Sequence, residues 1–212
     1  MSALFLLRLM SARVAQAALA LGLAALVHPA LAGAQKEEPL ADAVRTALSA
    51  AISNNSAPPQ IEHRSVADRI AFARWVGLNG DKLKRKHPNF QVRREFLETV
   101  WYESRRAGLD PSLVLGLIEV ESGFRKYAIS RVGARGYMQV MPFWTRSIGD
   151  GDTSKLFHQQ ANLRFGCVIL RHYLNIERGD LFLALGRYNG SRGRAEYPNA
   201  VLGARKRWEI KA

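Results

Sequence analysis

Apolar residues recur at the three- and four-residue spacing of an α-helix along most of this 212-residue chain. We find no convincing alternation of apolar and polar residues that would indicate β-strands, and no internal repeat. Capping and breaking residues divide the pattern, because Ser65 and Asp110 are typical helix N-caps and Gly108 is a typical helix stop. The sequence therefore predicts a mainly α fold. The predicted helices are 39–53, 65–78, 90–107, 111–121, 142–148, 155–177, 180–187 and 196–208.

The first 34 residues have the pattern of a secretory signal. Arg8 and Arg13 precede an apolar run at 14–27, and two small-x-small cleavage patterns end at Ala32 and Ala34. An uncleaved membrane anchor is the alternative, but the run is short of the roughly 20 residues that a membrane span needs. We therefore predict export across the inner membrane to the periplasm. The predicted regions are a signal peptide (1–34), a helical N-terminal extension (35–89) and a larger helical domain (90–212).

The chain is strongly basic, with a formal net charge of +13 from 31 Lys and Arg against 18 Asp and Glu. Such an excess predicts a polyanionic neighbour, which is nucleic acid, an anionic membrane surface or an acidic cell-wall polymer. Export argues against nucleic acid, and the basic run 82–87 lacks the interleaved aromatic residues of single-strand binders. That run is either a contact for an anionic wall or membrane, or a solvated face.

Cysteine and histidine usage indicates neither a disulfide nor a metal site. Cys167 is the only cysteine, so it cannot form an intrachain disulfide, and its apolar surroundings predict a buried thiol. The five histidines show no ligand spacing. We expect no metal and no cofactor.

Glu121 is the candidate catalytic residue that the helical pattern itself identifies. At 100° per residue, it lies within about 60° of Leu117 and Ile118, whereas Glu119 lies about 160° away. A carboxyl on an apolar stripe is desolvated, and the helix dipole also disfavours its charge in the last turn. Both effects raise the pKa, as a general acid requires. A structural glutamate bonded to backbone or arginine is the alternative.

Several short motifs follow in a fixed order. The chain contains Glu121-Ser122, Ser130, Gly-Ala-Arg-Gly-Tyr-Met-Gln-Val-Met-Pro at 133–142, Asn162 with Gly166, and Tyr188-Asn189-Gly190. Each element is weak alone, but the ordered set resembles the lytic transglycosylases with a soluble-lytic-transglycosylase (SLT) catalytic domain, which share a goose-type lysozyme-like fold. The resemblance covers roughly 96–208. This chain departs from the commoner residues of the SLT pattern at three positions, Tyr137, Arg187 and Ser191.

The resemblance implies a reaction on peptidoglycan glycan strands, with 90–212 as the catalytic domain. The enzyme would cleave the β-1,4 bond between N-acetylmuramic acid and N-acetylglucosamine. Glu121 would protonate the glycosidic oxygen and then act as base toward the muramic C6 hydroxyl. A 1,6-anhydro ring would close, and no water would be consumed.

Donor chemistry within this resemblance suggests supporting roles. Ser130 and Gln139 would hydrogen-bond the sugar or its N-acetyl group, and Tyr188 would orient the Glu121 carboxyl or the reacting sugar. Met138 and Met141 would contact the sugar face or pack in the core. Asn189 would fix the turn that positions Tyr188, or it is a simple turn residue. The predicted substrate-binding residues are Ser130, Met138, Gln139, Met141, Tyr188 and Asn189.

Two alternative functions stay open at this point. A muramidase on the same fold would release reducing ends, but ordinary glycosidases need a second carboxylate. The next acids are Asp150 and Asp152, in a loop that we interpret as a turn and helix entry. If either side chain faces Glu121, hydrolysis becomes plausible. The other alternative is a non-catalytic wall-binding or secretion-assembly protein that keeps the fold.

Overall fold

The computed structural model describes residues 35–53, 61, 63 and 65–210, so the predicted signal peptide lies outside the described residues. Within these ranges the chain forms α-helices and one 3₁₀ helix, with isolated bridges from Arg135 to Ile129 and Val140 in place of strands. The predicted mainly α fold is confirmed. The helices are α1 (Asp42–Ser53), α2 (Val66–Leu83), α3 (Phe90–Arg106), α4 (Pro111–Ser122), α5 (Phe143–Ile148), the 3₁₀ helix (Thr153–Phe157), α6 (Gln159–Ile176), α7 (Leu181–Asn189) and α8 (Glu196–Trp208).

The helix starts predicted at Ser65 and Asp110 are confirmed by their capping hydrogen bonds. The Ser65 hydroxyl accepts from the Asp68 backbone nitrogen at 3.1 Å, and an Asp110 carboxylate oxygen accepts from the Ser112 nitrogen at 2.9 Å. Pro111 occupies the first turn of α4, where its missing N–H costs no hydrogen bond.

Two predicted helix boundaries are wrong. The predicted stop at Asn79-Gly80 lies inside α2, which continues to Leu83 because Asn79 and Leu83 are both buried against the rest of the fold. Packing here outweighs the low helix propensity of that pair. The long helix predicted from 155 begins instead at Gln159, after a 3₁₀ helix that Asp152 caps.

Helix α4 is the centre of the fold, because ten of its twelve residues are buried. It packs most extensively against α8 and also contacts α3. Gly116 permits the close approach to α8, since a Cβ there would lie 2.6 Å from the Arg205 backbone nitrogen. A polar side chain at one of the buried positions of this helix is therefore desolvated.

The residues before α3 pack onto the same helical body. Helix α1 contacts α5 and α6, and the Arg106 guanidinium donates to the Ala51 carbonyl at 2.7 Å. Beneath α1, a buried ion pair joins α3 to α6, with 2.8 Å between Arg164 and Glu103. Of the described helices, none is both long and apolar enough to cross a membrane. The predicted division between 89 and 90 stays a prediction.

Candidate active site

Glu121 lies in the last turn of α4, just before Gly123, whose left-handed backbone ends the helix. The residue is only 5% exposed. Its Oε1 accepts a hydrogen bond of 2.5 Å from the Tyr197 hydroxyl, and its Oε2 has no hydrogen-bond partner in the described part of the chain. Burial raises the pKa of Glu121 to about 8, and the Tyr197 hydrogen bond opposes part of that rise. The predicted burial is confirmed, and the carboxyl keeps its proton at neutral pH.

Tyr197, the hydrogen-bond partner of Glu121, lies 76 residues further along the chain, in the first turn of α8. Its role was not predicted. Burial raises the pKa of its hydroxyl well above the usual value, and the nearby Glu121 adds to the rise, so the hydroxyl keeps its proton and donates. The apolar spacing of α8 does predict that Tyr197 is buried, but no sequence signal pairs it with Glu121. The buried face of α8 consists of Tyr197, Pro198, Val201, Ala204 and Trp208.

The motif loop, residues 133–142, is held in place by Asn162 of α6. The Asn162 Oδ1 accepts from the Met138 backbone nitrogen at 2.8 Å, and its Nδ2 donates to the Arg135 carbonyl at 2.9 Å. Gly136 has a φ of 76°, and a Cβ there would lie 2.3 Å from the same Nδ2. The turn therefore requires glycine at this position. Asn162, part of the weakest motif in the sequence, organises the loop.

Three of the predicted substrate-binding residues, Met138, Gln139 and Tyr188, are almost completely buried. The Tyr188 hydroxyl donates to the Met138 carbonyl at 2.8 Å. Gln139 adopts a left-handed backbone (φ 48°), and its Nε2 donates to the carbonyls of Gly136 at 2.9 Å and Ala128 at 3.1 Å. These groups stabilise the motif loop in this structure. Their roles toward a saccharide stay predictions.

The other predicted substrate-binding residues lie at the edges of the same region. Ser130 and Met141 are half-buried, and the Ser130 hydroxyl accepts from the Ala134 nitrogen at 3.0 Å. Asn189 is buried at the end of α7, where its Nδ2 donates to the Ser191 hydroxyl at 3.1 Å. Ser130 and Met141 are thus the two members of the set with accessible surface. Their predicted contacts with sugar also stay predictions.

The two aspartates that follow Glu121 are occupied within their own loop. An Asp152 oxygen accepts from the Ser154 backbone nitrogen at 2.9 Å, and Asp150 pairs with Lys155. Hydrogen bonds from these partners lower the pKa of both aspartates. Among the described residues, the pKa of Glu121 responds to burial and to Tyr197, with no contribution from another carboxylate.

A family model described as "Transglycosylase SLT domain" matches residues 98–211, which is more than half of the chain. The chain belongs to this family. The match includes every predicted site residue and also Tyr197, whereas α1, α2 and the segment before them lie outside it. The resemblance predicted from the ordered motifs of the SLT domain is confirmed.

Similar SLT proteins include a "Membrane-bound lytic murein transglycosylase C" of Actinobacillus pleuropneumoniae serotype 5b (strain L20). It is 34% identical over 138 residues, which cover 65% of this chain and 36% of that protein. A "Transglycosylase" of Enterobacteria phage PRD1 is 34% identical over 116 residues, covering 51% of this chain and 42% of that protein. The chain thus spans well under half the length of these relatives.

A solved structure also resembles the chain. It is an inactive mutant of the lytic transglycosylase Slt from Pseudomonas aeruginosa, which is 18% identical with a TM-score of 0.43. The alignment covers 82% of this chain and 36% of that chain.

Proposed function

We propose that this SLT domain is a peptidoglycan lytic transglycosylase. It cleaves the β-1,4 bond between N-acetylmuramic acid and N-acetylglucosamine and forms a 1,6-anhydromuramic acid end. The observation that carries the proposal is the state of Glu121. It is a buried carboxyl with a pKa of about 8, and one of its oxygens accepts no hydrogen bond from the described residues. The printed names of the relatives, lytic murein transglycosylase C and transglycosylase, support the same class of reaction.

In the first step, Glu121 acts as a general acid. Because Tyr197 donates to Oε1, the acid proton is held at Oε2, which makes no competing hydrogen bond in the described part of the chain. Oε2 donates that proton to the glycosidic oxygen as the bond to the muramic C1 breaks. The carboxylate left behind keeps the Tyr197 hydrogen bond, which stabilises its new charge.

In the second step, the Glu121 carboxylate acts as a base. It takes the proton of the muramic C6 hydroxyl while that oxygen bonds to C1, so the 1,6-anhydro ring forms and the carboxyl is protonated again. One carboxyl serves both steps, which suits a site in which Asp150 and Asp152 are engaged within their own loop. Ordinary glycosidases use a second carboxylate as nucleophile or as the base that activates water.

The remaining parts of the proposal concern substrate and location. Ser130 and Met141 offer the accessible contacts to the sugar, while Gln139 and Tyr188 set the shape of the motif loop behind them. The relative named as membrane-bound agrees with export of this chain to the cell wall. The excess positive charge would hold the enzyme near anionic wall or membrane surfaces.

Product analysis tests the reaction. Purified cell-wall sacculi are digested with the protein, and the released muropeptides are analysed by mass spectrometry. We expect anhydromuramic products, each one water lighter than a reducing-end product. We expect Glu121→Gln to lower the rate by at least about 100-fold, because general acid catalysis is lost, and Glu119→Gln on the same helix to stay active.

Two results would contradict the proposal in different ways. Reducing-end products would show a muramidase, so the fold and the acid would stand but the second step would be wrong. Unchanged cleavage by the Glu121→Gln variant would remove the catalytic assignment itself.

A further inference from the structure

Gln35 is a polar residue that is 4% exposed, and it lies outside the range that matches the SLT family. Its Oε1 accepts hydrogen bonds from the Met141 backbone nitrogen at 3.2 Å and from the Trp144 Nε1 at 3.1 Å. Its Nε2 is 3.4 Å from the Gln139 carbonyl oxygen, to which it donates. The carboxamide therefore binds main-chain groups of two predicted substrate-binding residues.

Gln35 also lies close to the centre of the candidate active site. The Gln35 amide reaches the carbonyl of Gln139, and the Tyr188 hydroxyl donates to the carbonyl of the preceding residue, Met138, at 2.8 Å. Gln35 and Tyr188 therefore bind neighbouring carbonyls of the motif loop. Gln35 thus occupies main-chain groups that the predicted saccharide site would otherwise present.

The hydrogen-bonding groups of the Gln35 carboxamide match those of an acetamido group. A carboxamide presents one carbonyl oxygen and N–H donors, and an acetamido group presents the same carbonyl and one N–H. Both sugars of the proposed substrate carry an acetamido group. Without Gln35, the N–H groups of Met141 and Trp144 and the carbonyl of Gln139 would lose their partner, and an N-acetyl group could satisfy all three.

The segment that carries Gln35 is anchored at its far end and has few contacts in between. Residues 35–40, which we call the strap, have no regular secondary structure. Beyond Gln35, the Glu38 carboxylate pairs with the Arg187 guanidinium at 3.2 Å, and this pair is partly exposed. Exposed ion pairs contribute little to stability. At the other end of the strap, Leu40 packs against the core, and its carbonyl accepts from the Arg45 guanidinium at 3.3 Å. Gln35 lies five residues from that anchor, so a ligand can displace the Gln35 amide while the Leu40 end stays attached.

We propose that the strap is an intramolecular competitor of the substrate. The Gln35 carboxamide occupies the position of a saccharide N-acetyl group, and the glycan strand must displace it to reach Glu121. This inference rests on the proposed function, because it assumes a saccharide cleft at Glu121. It predicts that the free enzyme is partly self-inhibited and that removal of the Gln35 side chain relieves the inhibition.

Saccharide binding, measured by calorimetry on the purified chain, tests this proposal apart from catalysis. The probes are tetra-N-acetylchitotetraose and the glucosamine tetramer, which lacks the acetyl groups. A competitor lowers the apparent affinity for the saccharide in proportion to the fraction of protein whose site is free. We therefore expect Gln35→Ala to bind the acetylated tetramer about fivefold more tightly than the parent chain does. Gln35→Asn, whose side chain is one carbon shorter, should also bind the acetylated tetramer more tightly than the parent chain does. The exposed neighbour offers the control Lys36→Ala, which should bind as the parent does.

NMR supplies a second readout at the contact itself. The indole N–H signal of Trp144 should shift in Gln35→Ala, and in the parent chain when the acetylated tetramer is added. Equal or weaker binding by variants that keep the parent's melting temperature would show that Gln35 is a brace and overturn the proposal. An equal gain for both tetramers would overturn the acetamido assignment. If neither chain bound the acetylated tetramer, the saccharide cleft and the inference would both fail.

Discussion

Replacing Glu121 by glutamine should make the protein more stable, and the gain should depend on pH. The unfolded chain ionises this carboxyl near the ordinary value of 4.5, whereas the folded chain keeps the proton until about pH 8. The contribution of Glu121 to the stability of the parent chain is therefore fully present below pH 4.5 and is lost as the pH rises toward 8, because unfolding then releases a proton. Glutamine is close in shape and can still accept from Tyr197, but it has no charge to desolvate.

The structure sets the size of this effect. At about 1.4 kcal/mol per pKa unit, the difference between 4.5 and about 8 corresponds to an upper limit of about 5 kcal/mol at high pH. Local relaxation reduces such costs, so we expect Glu121→Gln to raise the free energy of unfolding by about 2 to 4 kcal/mol at pH 8. For a chain of this size, that is a rise of roughly 5 to 15 °C in melting temperature. At pH 4.5 the two proteins should differ little.

The assay is urea unfolding of both proteins at pH 4.5 and at pH 8, with calorimetric melting as a second measure. Glu119→Gln is the matched control on the same helix. Glu119 accepts hydrogen bonds from Arg207 at 2.9 Å and Trp208 at 2.7 Å, so its replacement should not stabilise the protein at pH 8. The reasoning is refuted if the effect of Glu121→Gln is the same at both pH values, or if it is a loss that grows with pH.

Two further predictions concern the hydrogen bond between Tyr197 and Glu121 and the turn of the motif loop. Tyr197→Phe removes the hydrogen bond that favours the carboxylate. The pKa of Glu121 should therefore rise by about one unit, as the loss of a charge-assisted hydrogen bond implies. The alkaline limb of the pH dependence of kcat/KM should move to higher pH, and an unmoved limb would contradict its assignment to Glu121. Gly136→Ala places a Cβ 2.3 Å from Asn162 on a left-handed backbone and should cost about 3 kcal/mol in urea unfolding. Gly133→Ala, whose Cβ meets no atom within 4 Å, should cost about 1 kcal/mol from backbone strain alone; equal losses would disprove the steric account.

Local sequence signals predicted the candidate site to different extents. The spacing of Glu121 along an apolar helix predicted its burial, because residues three and four apart share a helix face. The same reasoning assumed one apolar stripe, whereas α4 is buried on nearly every side. The boundary of α2 was predicted wrongly because Asn79 and Gly80 disfavour a helix only until burial of the following turn compensates for them.

The sequence by itself determined the helices and their caps, the family of the chain and the desolvation of Glu121. These follow from residues within a few turns of each other or from short ordered motifs. Only the tertiary structure decided which groups meet: Tyr197 at Glu121, Asn162 beneath the motif loop and Gln35 upon it. Helices are specified locally, but the partner of a buried polar atom depends on how separate helices pack, and that depends on the whole core at once.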